Sequence, residues 1–278
     1  DNVSDPSNPD SFLAGFQGRV LPRVSLEWRY PLVRYNNNSS QTLEPIIAAI
    51  TAPFGGNPEK IPNEDSQSFE FDDTNVFSFN RFSGLDRWEG GHRVNYGLRF
   101  GAYGAGDGHI SAMVGQSLRW RDDNTFADKT GLESQRSDYV GRFAVSPTPL
   151  FDYLHRVRLD RDNLSIRRNE IDMTIGPKSA RFSGSYVALS RELTNDELNS
   201  REEARLNAQI QISNNWSARA GTRRDLAGES DTVSWEIGAS YADECMEFGL
   251  QLDRSFTEDR DIKPSTNFFV RIKLKHLG

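Results

Sequence analysis

Apolar and polar residues alternate along most of this chain, and this alternation restricts the possible folds more than any other feature. The even positions of residues 20–30 are apolar, whereas the odd positions are mostly polar or charged. The same pattern recurs at 93–102, 203–212, 233–241 and 268–274, and helical spacing is not sustained anywhere. A period of two residues is typical of a β-strand with one apolar and one polar face. The sequence therefore predicts an all-β fold.

About thirteen segments of this kind can be delimited. They comprise residues 19–33, 41–52, 92–103, 109–121, 138–147, 151–161, 164–175, 179–190, 201–213, 215–226, 231–242, 245–256 and 267–277. The alternation is weakest at 151–161 and 164–175. Single-chain bacterial barrels usually have an even number of strands. Either the count is therefore wrong by one, or these strands are part of a larger barrel.

The length and composition of the segments favour an antiparallel transmembrane β-barrel over a soluble β-sandwich such as an adhesin. Strands of soluble proteins average about 5–6 residues, whereas most of these have about ten or more, the length that crosses a bilayer at a tilt. The polar face suits a wet lumen. Aromatic residues lie near the segment ends, as at membrane interfaces: Trp28, Trp120, Trp216, Trp235 and Tyr241.

The connections between the segments alternate in length. If the C-terminus is periplasmic, as in outer-membrane barrels, the extracellular loops are 53–91, 122–137, 162–163, 191–200, 227–230 and 257–266. The periplasmic turns are then 34–40, 104–108, 148–150, 176–178, Asn214 and 243–244. All the long connections fall on one side, as such barrels require, and only 162–163 is shorter than expected.

The sequence gives no indication of catalysis, of a cofactor or of a metal site. The four histidines lie in separate segments, without acid–base spacing: His92, His109, His155 and His276. Neither a G-x-S-x-G nor an H-E-x-x-H motif is present. The formal charge of -7 argues against a nucleic-acid partner, which would favour a basic surface.

Three stretches are more specific than the alternation. "SQTLEPIIAAITAPFG" (40–55), "FSFNRFSGLDRWEGGHRVNYGLRF" (77–100) and "NFFVRIKLKHLG" (267–278) resemble the LptD family. These are lipopolysaccharide-assembly proteins of the Gram-negative outer membrane, also called organic solvent tolerance proteins. The resemblance extends over essentially the whole chain, and the order of "QTLEP", a long loop and "GLDR" is its most specific part.

The resemblance implies a barrel of about 26 strands, of which residues 1–278 would be the C-terminal half. A periplasmic jellyroll domain outside this sequence would receive lipopolysaccharide from a protein bridge. An LptE-type lipoprotein would plug the lumen, and the cargo would enter the outer-membrane lipid through a lateral gate. The alternative function is a general diffusion porin for small solutes.

The resemblance also assigns roles near the end of the sequence. The last strand would be one lip of the gate and the signal for the barrel-assembly machinery, with lipid-facing Phe268, Val270, Ile272 and Leu274. Cys245, the only cysteine in the sequence, follows the turn Asp243-Glu244. By resemblance it would form a disulfide with the jellyroll region; an unpaired thiol is the alternative.

Two further sets of residues have both a functional and a structural interpretation. In the functional interpretation the loop 62–91 caps the barrel, and its acids hold divalent cations that bridge lipid phosphates. A packed loop with solvated charges is favoured instead. The acids concerned are Glu64, Asp65, Glu70, Asp72 and Asp73. The segment Gly84-Leu85-Asp86-Arg87 is expected to anchor this loop to the barrel mouth, and a structural ion pair is favoured over contact with the cargo. Lumen-facing arginines could attract lipid phosphates, or could pair with lumen carboxylates and the plug: Arg23, Arg29, Arg93, Arg99, Arg119, Arg121 and Arg142.

Overall fold

The computed structural model describes residues 3–5, 8–13, 18–58, 61–66, 69–104, 106–122, 125–127, 129–190, 201–227, 231–257 and 263–275. These residues form an all-β structure, as predicted. None of them belongs to a helix long and apolar enough to cross a membrane. A short hairpin of β1 (Val3–Asp5) and β2 (Asn8–Leu13) precedes one large antiparallel sheet.

The large sheet is 14-stranded. Its strands are β3 (Val24–Arg29), β4 (Leu32–Asn36), β5 (Ser39–Thr51), β6 (His92–Tyr103), β7 (His109–Arg119), β8 (Tyr139–Thr148), β9 (Phe151–Leu159), β10 (Ile166–Ile175), β11 (Ala180–Leu189), β12 (Arg201–Gln211), β13 (Trp216–Asp225), β14 (Asp231–Ala242), β15 (Met246–Ser255) and β16 (Ser265–Leu274). From β5 to β16 each strand pairs with the next in sequence, and among the described residues the sheet is open between β3/β4 and β16.

The count of thirteen strands is corrected at the first predicted segment, 19–33. There the structure has two strands, because β3 pairs with Ile46–Thr51 of β5 and β4 with Ser39–Leu43. The interruption falls at Pro31, whose ring removes a backbone donor. One hydrogen bond spans the gap, from Tyr30 N to Pro45 O at 3.3 Å. The hairpin β1–β2 was also missed, because its strands are too short for a visible alternation.

Cross-strand pairing divides the side chains into two faces, since directly opposed residues point to the same side of a sheet. Arg93 lies opposite Ile50 on β5 and Arg119 on β7. This side is termed the inner face, because the long loop between β5 and β6 packs on it. The other side is termed the outer face. It carries exposed apolar residues from one sheet edge to the other: Leu26, Ile47, Leu98, Val114, Phe143, Met173, Phe182, Leu206, Ile237 and Val270.

Strand β5 departs from the expected arrangement of a polar inner face. Its inner side carries Ile46, Ala48 and Ile50, each at most 3% exposed. They lie opposite Gly97, Asn95 and Arg93 of β6. This part of the inner face is therefore covered and dry, unlike the wet lumen that the alternation predicts.

Candidate functional site

The connection between β5 and β6 is an inward-folded loop, termed the long loop (residues 52–91). It shares a buried cluster with a second loop (residues 120–138) that joins β7 to β8. The cluster combines side chains of both loops with Met113 and Val140 of the inner face: Phe71, Val76, Phe82, Met113, Phe126, Leu132 and Val140. Phe82 and Phe126 stack with ring centroids 4.8 Å apart. The two loops thus add a second apolar layer to the inner face of β6–β8.

Two glycines of the inner face allow this close packing. A Cβ on Gly97 would lie 2.5 Å from the Val114 carbonyl oxygen and 2.9 Å from the ring of Phe77. A Cβ on Gly115, directly opposite on β7, would lie 3.2 Å from a methyl group of Val76. The loop residues Val76 and Phe77 therefore occupy space that any larger side chain at these positions would take.

A buried charge cluster lies beneath the loops. Glu89 is fully buried, and its carboxylate contacts Arg81 at 2.8 Å, Arg93 at 3.4 Å and Arg119 at shorter range. Arg81 also donates to Asn95 Oδ1 at 2.8 Å and to the Val76 carbonyl at 3.0 Å. The cluster ties the end of the long loop to β6 and β7.

Among the described residues, three guanidinium groups of this cluster share the single carboxylate of Glu89. Burial lowers the pKa of Arg81 to about 9, with Glu89 opposing the shift and Arg93 and Arg119 adding to it. Burying charge is unfavourable unless opposite charge and hydrogen bonds compensate. Loop carbonyls supply part of this compensation, since Arg93 donates to Phe79 O at 2.7 Å.

The acidic segment of the long loop reaches further across the sheet, to arginines on β9 and β10. Asp73 lies 3.6 Å from Arg156, and Glu70 lies 3.7 Å from Arg158. Arg168 lies 3.6 Å from both Glu70 and Asp72. These carboxylates are therefore paired with cations of the inner face, and the favoured expectation of solvated charges is wrong for them. Burial raises the pKa of Asp73.

The predicted anchor contains a reciprocal contact between two aspartates. The Asp65 carboxylate accepts from the backbone N–H of Leu85 at 2.7 Å and of Asp86 at 3.0 Å. Asp86 Oδ2 accepts from the N–H of Glu64 at 2.8 Å and of Asp65 at 3.1 Å. A Cβ on Gly84 would lie 2.0 Å from Asp65 Cγ. This arrangement is termed the aspartate clasp.

Arginines fasten the clasp to neighbouring backbone. Arg87 donates through Nη1 to the Ile61 carbonyl at 2.9 Å. Arg19, ahead of β3, donates to the carbonyls of Asp86 at 3.0 Å and Gly56 at 3.1 Å, and also to Leu85 O. The anchor thus holds the long loop to itself and to the segment before β3 through backbone hydrogen bonds, where an ion pair was expected.

The second loop is held by β7 and by β9. Ser137 and Ser117 exchange hydrogen bonds at 2.9 Å, through Ser137 N to Ser117 O and Ser117 N to Ser137 Oγ. Arg158 donates to the Thr130 carbonyl at 2.5 Å. Burial acts to raise the pKa of Glu133, but the hydrogen bond from Arg161 at 2.9 Å, the charge of Arg161 and backbone N–H groups such as that of Gly131 at 2.8 Å together outweigh it, and the pKa is lowered.

The predicted lumen-facing arginines occupy three kinds of environment. Arg93 and Arg119 belong to the buried cluster around Glu89. Arg23 lies just before β3, and its guanidinium carbon is 4.0 Å from the ring centroid of Trp88 in the long loop. The others lie on the inner face or at its rim, and are more exposed: Arg29, Arg99, Arg121 and Arg142. Arg29 and Arg99 face carboxylates at 2.6 and 3.8 Å.

The last strand and the cysteine lie at the other end of the sheet. Phe268, Val270, Ile272 and Leu274 share the outer face of β16 and are all more than half exposed. Cys245 is exposed in the turn between β14 and β15. Asp243 Oδ1 accepts from the N–H of Cys245 and of Met246, both at 2.8 Å.

The histidines and the metal-binding side chains are dispersed. The described part of the chain contains no group of three or more His, Cys, Asp or Glu side chains that could hold a metal ion. His155 bonds to Asn169 at 2.8 Å on the outer face, and His92 contacts Thr51 at 2.5 Å. The predicted loop 191–200 and His276 lie outside the described residues.

Sequence reasoning missed Glu89, Arg81 and the inward path of the long loop. The available signal was composition, because residues 69–91 contain five phenylalanines and one tryptophan among their charges. In a loop exposed to water, so many aromatic side chains would be in unfavourable contact with solvent. What the sequence does not display is the partner of each charge, since Glu89 and Arg119 are far apart in sequence.

Comparison with known proteins gives consistent matches. The family model LptD, described as LPS transport system D, matches residues 2–216. An LPS-assembly protein LptD of Nitrosomonas eutropha is 24% identical over 93% of this chain and 35% of its own length. That of Idiomarina loihiensis is 22% identical over 93% and 34%, and that of Aeromonas hydrophila 34% identical over 37% and 13%. The chain thus spans about a third of the relatives that match most of it.

Proposed function

The chain belongs to the LptD family, and we propose that it forms part of a barrel that delivers lipopolysaccharide to the outer leaflet of the Gram-negative outer membrane. In this proposal residues 1–278 are the C-terminal part of the barrel. The apolar outer face of the sheet supports a lipid-facing wall, because contact with water would be unfavourable over so large an area.

The single observation that carries this proposal beyond a generic barrel is the packed long loop. Its aromatic cluster and the buried Glu89 cover the inner face of β6–β8 with closely packed side chains. A diffusion porin needs a water-filled lumen, whereas a lipid translocon must prevent solute leakage. The covering of β6–β8 by the long loop therefore supports the translocon over the porin alternative.

Two of the proposed partners are assigned to the C-terminal end of the sheet. The inner face of β12–β16 carries a polar groove of about 380 Å³, lined among others by Arg205, Arg223, Glu236 and Asp253. We assign this wall to an LptE-type lipoprotein plug. The periplasmic bridge would dock on a domain outside these residues, and the barrel-assembly machinery would read β16. Neither a catalytic role nor a nucleic-acid partner is part of the proposal.

Two measurements on the full-length protein test this function. Cells are first depleted of their own copy of the protein, and the full-length protein is then expressed from a plasmid. These cells should regain lipopolysaccharide at the surface. The purified protein with its plug should show no steady conductance in a planar bilayer. Steady conductance together with unchanged surface lipopolysaccharide would favour the porin instead.

The gate assignment has its own test. Cysteine pairs joining β16 to the first strand of the full-length barrel should stop lipopolysaccharide export, and a reductant should restore it. A single cysteine in β16 is the matched control and should export normally. Normal export by a fully crosslinked protein would exclude a gate at this strand.

A further inference from the structure

A pocket of about 630 Å³ opens where the base of the long loop meets the ends of β6 and β7. Four basic residues contribute to its lining: Arg87, His92, Arg119 and Arg121. The lining also includes the carboxylate residue Asp122 and the polar residues Asn57 and Thr125. The pocket thus presents many N–H donors and few anionic groups.

The walls of the pocket are held in place by specific contacts. The guanidinium carbon of Arg121 lies 4.8 Å from the ring centroid of Phe54, which packs edge-on against His92 at 4.9 Å. Arg87 is fixed through Nη1 to the Ile61 carbonyl at 2.9 Å. Asn57 donates to the Trp88 carbonyl at 2.7 Å and to Thr125 at 3.3 Å. The pocket is therefore a formed site, because contacts on several sides fix its walls.

A buried arginine lies at the base of the pocket. Arg119 lines the pocket and also belongs to the cluster in which Glu89 is shared with Arg81 and Arg93. Arg119 is only 7% exposed, so water screens its charge poorly. An anion in the pocket would be attracted to this charge, because interactions between charges are strong where the dielectric constant is low.

The position of the pocket indicates where such an anion would come from. His92 lies opposite Thr51 on the outer face, whereas Arg119 lies on the inner face, so the pocket bridges the rim of the sheet. If the proposed function holds, this rim is at the extracellular side, near the lipid headgroups of the outer leaflet. Arginine is well suited to phosphate because its planar donors match the oxygens in pairs.

We propose that this pocket binds the phosphate group of a phosphorylated sugar, supplied by the headgroup of an outer-leaflet glycolipid. Arg87 and Arg121 would contact the phosphate oxygens, and Arg119 would provide positive charge at the base of the pocket. Asn57 and Thr125 would form hydrogen bonds with the sugar hydroxyls. This inference rests on the proposed function only for the source of the sugar phosphate, not for the binding itself.

The test uses the full-length protein in detergent micelles and isothermal titration calorimetry. N-acetylglucosamine 1-phosphate should bind saturably, and neutral N-acetylglucosamine should not. In the double variant Arg87→Gln/Arg121→Gln the dissociation constant should rise at least about tenfold, because two charged hydrogen-bond donors are lost. Arg136→Gln, an exposed arginine of the second loop paired with Asp162 at 3.4 Å, is the matched control and should bind like the wild type.

Absence of saturable binding at millimolar sugar phosphate, or equal binding by the double variant, would overturn the site. Unchanged heat-modifiability on gels shows that each variant is folded. A second arm adds phosphorylated or dephosphorylated lipopolysaccharide to the micelles. Competition by the phosphorylated form alone supports the glycolipid as the source, and absence of competition refutes that source.

Export measured in cells separates this inference from the proposed function. Lipopolysaccharide at the surface of cells that carry the wild-type protein supports the translocon, whatever the calorimetry shows. Failure of sugar phosphate to bind that same protein would refute the pocket alone.

Discussion

The Asp65 carboxylate accepts hydrogen bonds from the backbone at Asp86, and the Asp86 carboxylate accepts hydrogen bonds from the backbone at Asp65. Asp65 binds the N–H of Asp86 at 3.0 Å, and Asp86 binds the N–H of Asp65 at 3.1 Å. This reciprocity closes a ring between two segments about twenty residues apart, where neither segment has regular secondary structure. Gly84 is required beside it, because a Cβ would overlap the Asp65 carboxyl group.

The first prediction concerns the pH dependence of the aspartate clasp. The N–H groups of Leu85 and Asp86 lower the pKa of Asp65 to about 2. A carboxylate with a lowered pKa stabilises the fold above its unfolded pKa of about 3.9 and loses this contribution as pH falls through the folded value. Limited pepsin digestion should therefore cleave the long loop more rapidly at pH 2 than at pH 4, relative to an unfolded substrate.

The control is Asp65→Asn, which has no charge to lose. Its loop should be cleaved at similar rates at the two pH values, and faster than the wild type at pH 4. A wild-type loop equally resistant at pH 2 would contradict the assigned role of the clasp.

The second prediction concerns the buried Glu89. In Glu89→Gln the three surrounding guanidinium groups lose their shared carboxylate, and breaking a buried pair costs about 3–5 kcal/mol. The long loop should therefore detach from β6 and β7. Hydrogen exchange across residues 69–91 should increase markedly, and the barrel should conduct ions in a planar bilayer.

Glu133→Gln is the matched control for this change, because Glu133 pairs with Arg161 at 2.9 Å but is partly exposed. Partly exposed pairs contribute about 0–1 kcal/mol, so exchange in the long loop should stay near the wild-type rate. Equal effects of the two variants would mean that the Glu89 cluster does not hold the loop.

The sequence was sufficient for most of the strands and insufficient for the loops, for a physical reason. A residue such as Val270 reveals its face through neighbours two positions away, because a strand repeats every two residues. The contacts of Glu89 with Arg119, or of Asp73 with Arg156, join residues far apart in sequence and follow no local period. Pro31 could be interpreted only in part from the sequence. The proline itself indicates an interruption, but whether it bends or ends a strand depends on the pairing with β5.

The third prediction concerns the two faces of β16. Val270 lies on the outer face opposite Leu250, whereas its neighbour Phe269 lies on the inner face opposite Gln251. Val270→Lys should destabilise the folded barrel by about 2–4 kcal/mol if the position is near the bilayer midplane. Phe269→Lys is the matched control and should cost less, since its charge would face polar residues. Urea unfolding in lipid vesicles measures both, and a larger cost at Phe269 would reverse the assignment of faces.

The last prediction concerns Cys245, which is exposed beside the turn before β15. In the predicted orientation Cys245 faces the oxidising periplasm, where an exposed thiol is expected to form a bond. The resemblance to the LptD family implies a partner outside these residues. A link that closes a loop of several hundred residues would stabilise the protein by about 5 kcal/mol in the chain-entropy model. Non-reducing gels of the full-length protein should show a mobility shift that Cys245→Ser abolishes, whereas Met246→Ser should retain it. Rapid alkylation of Cys245 by a maleimide in the assembled, unreduced protein would refute the disulfide.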